Sequence, residues 1–346
     1  MTSSTEEADA LHARVRDFIK HGGDFDEVAR ELARFQARWS AGYARLCAAR
    51  SVDPDRDAPR KLPAVPTDAF RVARVATFPR ELEIARFCTS GTTAGARGAH
   101  PMRTLATYHA AAMAGATPLF APFPERLPIV AIATDAADSS LSRMLAWFVA
   151  ERGDARSCLV APEETERAIA ALERIDRPVL LLATAFAYVH LVDALQGRVL
   201  RLPRGSRAMQ TGGFKGRARE VPADVLRQMI AATFDLPRGE VVGEYGMTEL
   251  TSQLWATPET GSTDELWIYR APPWLRVVAC EPMTLSPLPD GARGIARFED
   301  LGNVESAWAV QTADEVIVHG DRVEILGRLA GATPRGCSLA VEALLA

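Results

Sequence analysis

Lysine is nearly missing from this chain. It occurs three times in 346 residues, at Lys20, Lys61 and Lys215, and arginine supplies every other basic side chain. Chemistry that calls for an amine therefore has three candidates. Cysteine is sparse as well; five, scattered and odd in number, exclude a disulfide framework. A formal net charge of -4 gives no field for nucleic acid or anionic lipid. No apolar run approaches the roughly 18–20 residues that a membrane helix needs. The start, Met1 to Glu7, has neither the basic nor the apolar stretch of a secretory signal, so the expectation is a cytoplasmic protein. The six histidines (His12, His21, His100, His109, His190 and His319) show no paired metal spacing. No Gly-x-Ser-x-Gly elbow and no zinc motif occurs, which removes two hydrolase classes.

What remains is an ordinary globular composition with a β-loop-α rhythm. Residues 5 to 50 predict two amphipathic helices, with apolar stripes at Leu11, Val15, Phe18 and Ile19 and at Val28, Leu32, Phe35 and Trp39. Short strands are predicted at 84–88, 127–134, 178–184, 208–211 and 240–244. Helices are predicted at 105–116, 140–151, 163–174, 186–196 and 223–234. That alternation, with nearly continuous apolar strands, argues for a largely parallel sheet with crossover helices. Beyond residue 262 the helices thin out and strands are expected at 266–269, 274–279, 294–298, 316–319 and 322–326. The expected organisation is an N-terminal helical segment (1–60), an α/β nucleotide- and acyl-binding core (61–262), a β-rich lobe (263–328) and a mobile tail (329–346). Gly327, Gly331 and Gly336 punctuate that tail.

Three stretches carry chemistry. Thr89-Ser90-Gly91-Thr92-Thr93, continuing through Arg97 to Gly98, lies between a predicted strand and a predicted helix. Small and hydroxyl residues there let backbone N–H groups close around phosphate oxygens, with Arg97 adding charge. It lacks the Gly-Lys-Ser/Thr ending of a Walker loop, and a helix-capping turn would have the same composition. Tyr245-Gly246-Met247-Thr248-Glu249 follows another strand. A ring to stack on adenine, a hydroxyl for phosphate and a carboxylate for magnesium are all present, although Tyr-Gly is also a common turn. Arg335-Gly336-Cys337-Ser338 sets a thiol nine residues from the C-terminus.

The first two motifs together are similar to the phosphate loop and the Tyr-Gly-x-Thr-Glu element of the adenylate-forming superfamily of acyl-CoA synthetases, peptide-synthetase adenylation domains and luciferases. Within it the chain resembles the acyl-protein synthetases of bacterial bioluminescence (LuxE type). Val65-Pro66-Thr67-Asp68-Ala69-Phe70-Arg71, Thr211-Gly212-Gly213-Phe214-Lys215-Gly216, Gly327-Arg328 and Arg335-Gly336-Cys337-Ser338-Leu339 carry that likeness from about residue 65 to the end. The fold it implies is the α/β large domain of an adenylate-forming enzyme, with layered sheets, crossover helices and a small β-rich lobe, but without the full C-terminal lid. By the same resemblance Thr89, Ser90, Gly91, Thr92, Thr93 and Arg97 would embrace phosphates, and Gly212 and Gly213 would border nucleotide and acyl group. Tyr245 and Gly246 would lie against adenine, Thr248 would touch the α-phosphate and Glu249 would bind Mg2+. Asp314 would hold ribose and Arg328 would contact the nucleotide. Arg97 and Ala94 stand where the superfamily usually has lysine and glycine.

Because no lysine follows Lys215, no counterpart of the superfamily's lid lysine is expected from these residues. Lys215 is a candidate partial substitute; an exposed loop lysine is the alternative. Cys337 is the expected acyl acceptor. A thiolate, not a thiol, attacks an acyl adenylate, and both Arg335 and a helix capped by Ser338 would favour the thiolate. A thiol between small residues near a chain end is poorly placed for a core, unlike Cys47, Cys88, Cys158 and Cys280, which read as structural. The expected function is ATP- and Mg2+-dependent activation of a carboxylic, by family expectation fatty, acid as acyl-AMP. Transfer to Cys337 and delivery to a partner acyl reductase or acyltransferase would follow. The rivals are a CoA or carrier-protein ligase of the phenylacetate-CoA ligase type and a non-catalytic nucleotide-binding subunit. Phe120, Phe123 and Phe186 are candidates for the acyl pocket, and His100 follows the phosphate loop closely enough to touch substrate.

Overall fold

The computed structural model describes residues 3–89, 96–212, 221–329 and 335–345. It comprises two compact units: residues 1–114, 247–253 and 271–346 form one, and 115–246 with 254–270 form the other.

The first unit opens with three helices where two were expected, α1 (Ser4–His21), α2 (Phe25–Trp39) and α3 (Ala41–Ala49). Ser40 separates the last two in extended conformation and caps α3, its hydroxyl oxygen accepting from the Tyr43 N–H. The stripe of α2 is buried, and Gln36 on it reaches the chain far downstream. Its Nε2 donates to the carbonyls of Asn303 (2.8 Å) and Val304 (3.0 Å), and its Oε1 accepts from the Trp308 N–H (3.0 Å). His12 on α1 is 2.8 Å from the Thr107 hydroxyl and 3.0 Å from Glu305. The N-terminal helices thus fix the 303–308 loop. A two-residue strand β1 (Val65–Pro66) and the short helix α4 (Ala69–Val72) lead to a hairpin, β2 (Ala85–Cys88) and β3 (Ala99–Met102), followed by α5 (Ala106–Gly115).

In the second unit a parallel sheet carries β4 (Ile129–Ile132), β5 (Cys158–Val160), β6 (Leu180–Thr184), β7 (Arg207–Thr211) and β8 (Val241–Tyr245), in the order β8-β7-β6-β4-β5. Two antiparallel strands, β9 (Leu254–Ala256) and β10 (Tyr269–Arg270), extend it beyond β8. The helices α6 (Thr117–Phe120), α7 (Ser140–Arg152), α8 (Thr165–Glu173), α9 (Ala185–Leu195) and α10 (Ala223–Phe234) connect the strands. One sheet face, with Val130, Leu181 and Ala208, packs against Leu172, Leu191, Leu226 and Phe234. Residues one step along each strand point the other way. There Trp255 meets Phe148 (centroids 6.3 Å apart), which in turn meets Phe120 edge-on at 5.2 Å. Burial on both faces explains why these strands read as unbroken apolar runs. Buried Arg207 on β7 is satisfied by Glu240, Glu259 and the carbonyls of Pro118 and Leu119.

The rest of the first unit is an antiparallel meander of β11 (Leu275–Cys280), β12 (Arg293–Asp300), β13 (Ala309–His319) and β14 (Arg322–Arg328), with β1 lying parallel to the start of β13. The chain then forms α11 (Arg335–Leu345). The segment expected to be a mobile tail is therefore a helix over these residues, and it packs on α3 and β1. Its stripe is Cys337, Ala340 and Leu344, all buried at the i, i+3, i+7 spacing of one helical face. Arg45 Nη2 donates to the Leu344 carbonyl at 2.6 Å.

Candidate functional site

The β2–β3 hairpin frames the glycine- and threonine-rich loop. At its base the Thr89 N–H donates to the Gly98 carbonyl (2.9 Å), and the Gly98 N–H donates to the Thr89 hydroxyl (3.0 Å). Arg97 donates Nε to the Thr89 carbonyl (2.5 Å) and Nη2 to the Cys88 carbonyl (3.2 Å). Thr89 and Arg97 thus clamp the loop's base. Ser90, Gly91, Thr92 and Thr93 lie outside the described residues.

Pairing puts Phe87 and His100 on one face of the hairpin and Arg86 and Pro101 on the other. His100 is buried. Its Nδ1 is 2.9 Å from the Thr248 carbonyl and its Nε2 is 2.8 Å from the Ser306 hydroxyl. Since a carbonyl can only accept, Nδ1 carries the proton and Nε2 accepts from Ser306. Burial pulls the imidazole down to about 4, against the raising effect of the Thr248 carbonyl, so it stays neutral near pH 7. His100, which follows the phosphate loop in sequence, thus holds the backbone of the second motif.

That motif starts in the second unit and continues into the first. Tyr245 ends β8, half-buried, with its ring 6.3 Å from that of Tyr269. Thr248 is half-buried and Glu249 buried. The Glu249 carbonyl accepts from Asn303 Nδ2 at 2.9 Å. Directly after it, the N–H groups of Thr251 and Ser252 (each 2.9 Å) and the Ser252 hydroxyl (2.7 Å) donate to buried Asp300. The Gly302 N–H donates to the same carboxylate at 2.8 Å. Asp300, Asn303, Ser306 and His100 together form a polar frame around residues 248–252. Asp300, Asn303 and Ser306 went unnoticed in the sequence because nothing local marks them. Their partners lie some 50 to 200 positions away, and only the packed structure reveals the frame.

At the carboxyl ends of the parallel strands, where α/β sheets commonly bind ligands, Thr211 on β7 lies directly beside Glu244 on β8. The Thr211 hydroxyl donates to the Glu244 carboxyl. Burial pushes this carboxyl up to about 7, outweighing the opposing hydrogen bond. Gly212 follows at φ +67°, a left-handed conformation that suits glycine and turns the chain out of the sheet. Gly213 and Lys215 lie outside the described residues.

Asp314 and Arg328 are direct cross-strand partners on β13 and β14, next to an irregularity in register at Glu315 and Val316. Gly327, opposite Glu315, has φ +119°. The two residues that the resemblance alone gave to the nucleotide are thereby brought side by side.

Cys337 departs from expectation. It is 3% exposed, in the first turn of α11. Burial pushes its thiol up to about 11, Asp68 adds to the rise and Arg50 opposes it. Among the described residues the net effect thus disfavours the thiolate, contrary to expectation. Ser338 does not cap the helix, which begins at Arg335. Gly336 is pressed on the turn after β11; a Cβ there would sit 2.7 Å from Leu285 Cγ and 3.0 Å from the Met283 carbonyl. Cys47, Cys158 and Cys280 also have raised thiols, by burial first. Of the anticipated pocket phenylalanines, Phe120 and Phe123 are buried and Phe186 is half-buried against His190.

A sequence model of the LuxE acyl-protein synthetases matches residues 158–346, more than half the chain, from β5 through the Tyr-Gly-Met-Thr-Glu motif to α11. The chain belongs to this family. The long-chain-fatty-acid–luciferin-component ligase of Vibrio harveyi is 28% identical over 156 residues, which take in 42% of this chain and 39% of that protein. The match thus spans well under two thirds of that relative. Among solved structures, an open conformation of 2-hydroxyisobutyryl-CoA ligase in complex with 2-HIB-AMP and CoA superposes with a TM-score of 0.68 at 14% identity, over 90% of this chain and 76% of the other. ATP-bound MatB from Rhodopseudomonas palustris gives 0.50 at 16% identity over 71% and 48%. At such identities the likeness establishes the fold, that of the adenylate-forming ligases.

Proposed function

We propose that this protein activates a carboxylic acid with ATP and transfers the acyl group to Cys337. The observation that carries the reading is the family match, which runs without a break from β5 to the helix that bears the cysteine. In the first step a carboxylate oxygen of the acid attacks the α-phosphorus of ATP, the bond to the β-phosphate oxygen breaks, and pyrophosphate leaves. In the second the Cys337 sulfur attacks the acyl carbon, its proton passes to solvent, and AMP departs with the electron pair of the broken C–O bond. By likeness to the fatty-acid ligase of Vibrio harveyi, the proposed acid is a fatty acid. An acyl reductase or acyltransferase is the proposed recipient of the thioester.

The residues suit the groups they would hold. Tyr245, half-exposed at a strand end, offers a ring face to adenine, and Asp314 beside Arg328 offers a carboxylate to ribose and a cation to phosphate. Glu249 alone would contribute to Mg2+; among the described residues no group of three His, Cys, Asp or Glu could hold a metal. That fits an ion held by one carboxylate, water and phosphate oxygens, which is how magnesium commonly sits. When bound it would offset phosphate charge during the first step. His100 and Asp300 keep residues 248–252 in place, so that Thr248 would meet phosphate and Glu249 the magnesium ion without reorganising. Lys215 is proposed to pair with phosphate or with the carboxylate of the acid.

Cys337 must leave its buried seat before the second step. Release of α11 from α3 and from the 283–285 turn would restore an ordinary thiol. The burial then serves as protection of the thiol before an adenylate is available. Acid-dependent exchange of labelled pyrophosphate into ATP tests the first step. Exchange should appear with fatty acids, persist in Cys337→Ser and fall in Glu249→Gln; no exchange with any fatty or aromatic acid would refute the reading.

A further inference from the structure

At the end of β7 a buried side chain has nothing to bond. Gln210 is 5% exposed, and its Oε1 is enclosed without a hydrogen-bond partner. Its Nε2 makes no hydrogen bond among the described residues either. Enclosing an unpaired amide costs free energy, because the water it gives up is not replaced. The register shows what surrounds it. Gln210 lies between Ala183 on β6 and Gly243 on β8, two of the smallest residues, on one face of the parallel sheet. Neither neighbour can satisfy the amide, and neither crowds it.

Two rings complete the group. The Tyr269 hydroxyl comes down over Gly243, where an added Cβ would lie 2.7 Å from Tyr269 Oη and 3.0 Å from Trp267 Cε3. Burial raises this hydroxyl, with Glu244 adding to the rise and Arg227 opposing it, so it keeps its proton. Tyr245, two residues beyond Gly243 on β8, stands on the same face, its ring 6.3 Å from that of Tyr269. Thr211 and Glu244 point to the opposite face and bond each other there. The cation packed on Trp267, Arg227, is spent on four backbone carbonyls, those of Arg238, Val241, Thr263 and Asp264. An aromatic ring, an unpaired amide and a hydroxyl thus share one face at the carboxyl end of the strands. A phosphate or carboxylate would call for a cation there, and an alkyl chain would leave the amide unpaired. A flat neutral group with a donor and an acceptor side by side on its edge satisfies all three.

We propose that Gln210 selects the base of the nucleotide, its amide pairing with the 6-amino group and the adjacent ring nitrogen of adenine. A glutamine amide matches that edge with two parallel hydrogen bonds, its carbonyl accepting from the amino group and its NH2 donating to the ring nitrogen. The inference rests on the reading of Tyr245 as the surface on which adenine lies, and adds the residue that distinguishes adenine from a base without the amino group. The amide is unpaired in the empty protein and paired in the complex, so its cost to stability is returned as selectivity.

Calorimetric titration of the full chain with ATP and Mg2+, without acid, tests this against purine riboside triphosphate, which lacks the 6-amino group. The wild type should bind ATP roughly tenfold or more tighter than the analogue. Gln210→Met, which keeps the length but not the polar atoms, should bind the two alike. Gln210→Asn, whose amide is one methylene short, should fall between. Because Gln210→Met removes an unpaired buried amide, its melting temperature without nucleotide should equal or exceed that of the wild type, while the rise on adding ATP should be smaller. Discrimination kept in Gln210→Met overturns the proposal, and a lowered nucleotide-free melting temperature would then assign the amide to packing. Equal binding of ATP and analogue by the wild type also overturns it, and needs no variant. In both cases ATP binding itself survives. Absence of ATP binding by the wild type would instead sink the nucleotide reading, and this inference with it.

Discussion

Leu344→Ala should release Cys337. Helix α11 is seated by three buried side chains, Cys337 (3% exposed), Ala340 (2%) and Leu344 (6%), and by the bond from Arg45 to the Leu344 carbonyl. Leu344 is the largest of them. Its side chain fills the space over Gly42, where an added Cβ would lie 3.1 Å from Leu344 Cγ. Truncating a buried leucine costs about 2–5 kcal/mol. Here the loss falls on the docking of one terminal helix, not on the folding of the unit. A loss of about 3 kcal/mol would raise the population of the undocked helix by roughly two orders of magnitude. The thiol reports the change. At pH 8 a group at about 11 is ionised about one part in a thousand, whereas the ordinary value of 9.0 gives about one part in eleven. Alkylation of Cys337 by iodoacetamide at pH 8, followed by peptide mass mapping, should therefore be slow in the wild type. In the variant it should accelerate by up to about a hundredfold. Buried Cys47 and Cys280 serve as controls for general unfolding and should stay protected in both. Equal Cys337 rates in the two proteins, or a wild-type rate matching the denatured chain, would refute the reasoning.

Two buried titrating groups should have opposite effects on the pH dependence of stability. The Glu244 carboxyl is raised to about 7, so the folded state binds more protons than the unfolded chain from about pH 4.5 to 7, and stability falls as pH rises through that window. His100, lowered from 6.5 to about 4, makes the folded state bind fewer protons, so its stability is lost as pH falls through that span. The wild type should show a shallow profile, Glu244→Gln a melting temperature that climbs from pH 4.5 to 6.5, and His100→Asn one that declines; parallel profiles for all three would contradict this. Asp300→Ala strands two buried N–H groups and a hydroxyl at residues 251–252, costing about 3 kcal/mol or more by denaturant titration. A loss within 0.5 kcal/mol would mean that the carboxylate does not hold this segment. Gly336→Ala, whose Cβ meets Leu285 and a backbone carbonyl, should expose Cys337 as Leu344→Ala does, read by the same alkylation assay.

The periodic parts of the fold were legible from the residues. Helix Ala223–Phe234 falls where its apolar spacing predicts, and Leu180–Thr184 and Val241–Tyr245 begin or end within two residues of expectation. Short elements were not. Ala99–Met102 pairs with Ala85–Cys88 across a loop that hides the partnership, and Cys158–Val160 is too short to show a period. The motifs around Thr89, Tyr245 and Gly212 were visible because small and hydroxyl residues cluster at strand ends. The frame of His100, Asp300, Asn303 and Ser306 was not, since it exists through contacts between distant segments. The burial of Cys337 was missed for a physical reason: a glycine-flanked thiol near a chain end was taken as poorly placed for a core. Residues 337, 340 and 344 instead form a stripe that buries the thiol.

Intact mass of the full chain after incubation with ATP, Mg2+ and a panel of fatty and aromatic acids, on wild type and Cys337→Ser, tests the central claim most directly. The account predicts an acyl adduct, removed by hydroxylamine, on the wild type and none on the variant. Pyrophosphate release without any adduct, or the same adduct on Cys337→Ser, would contradict it.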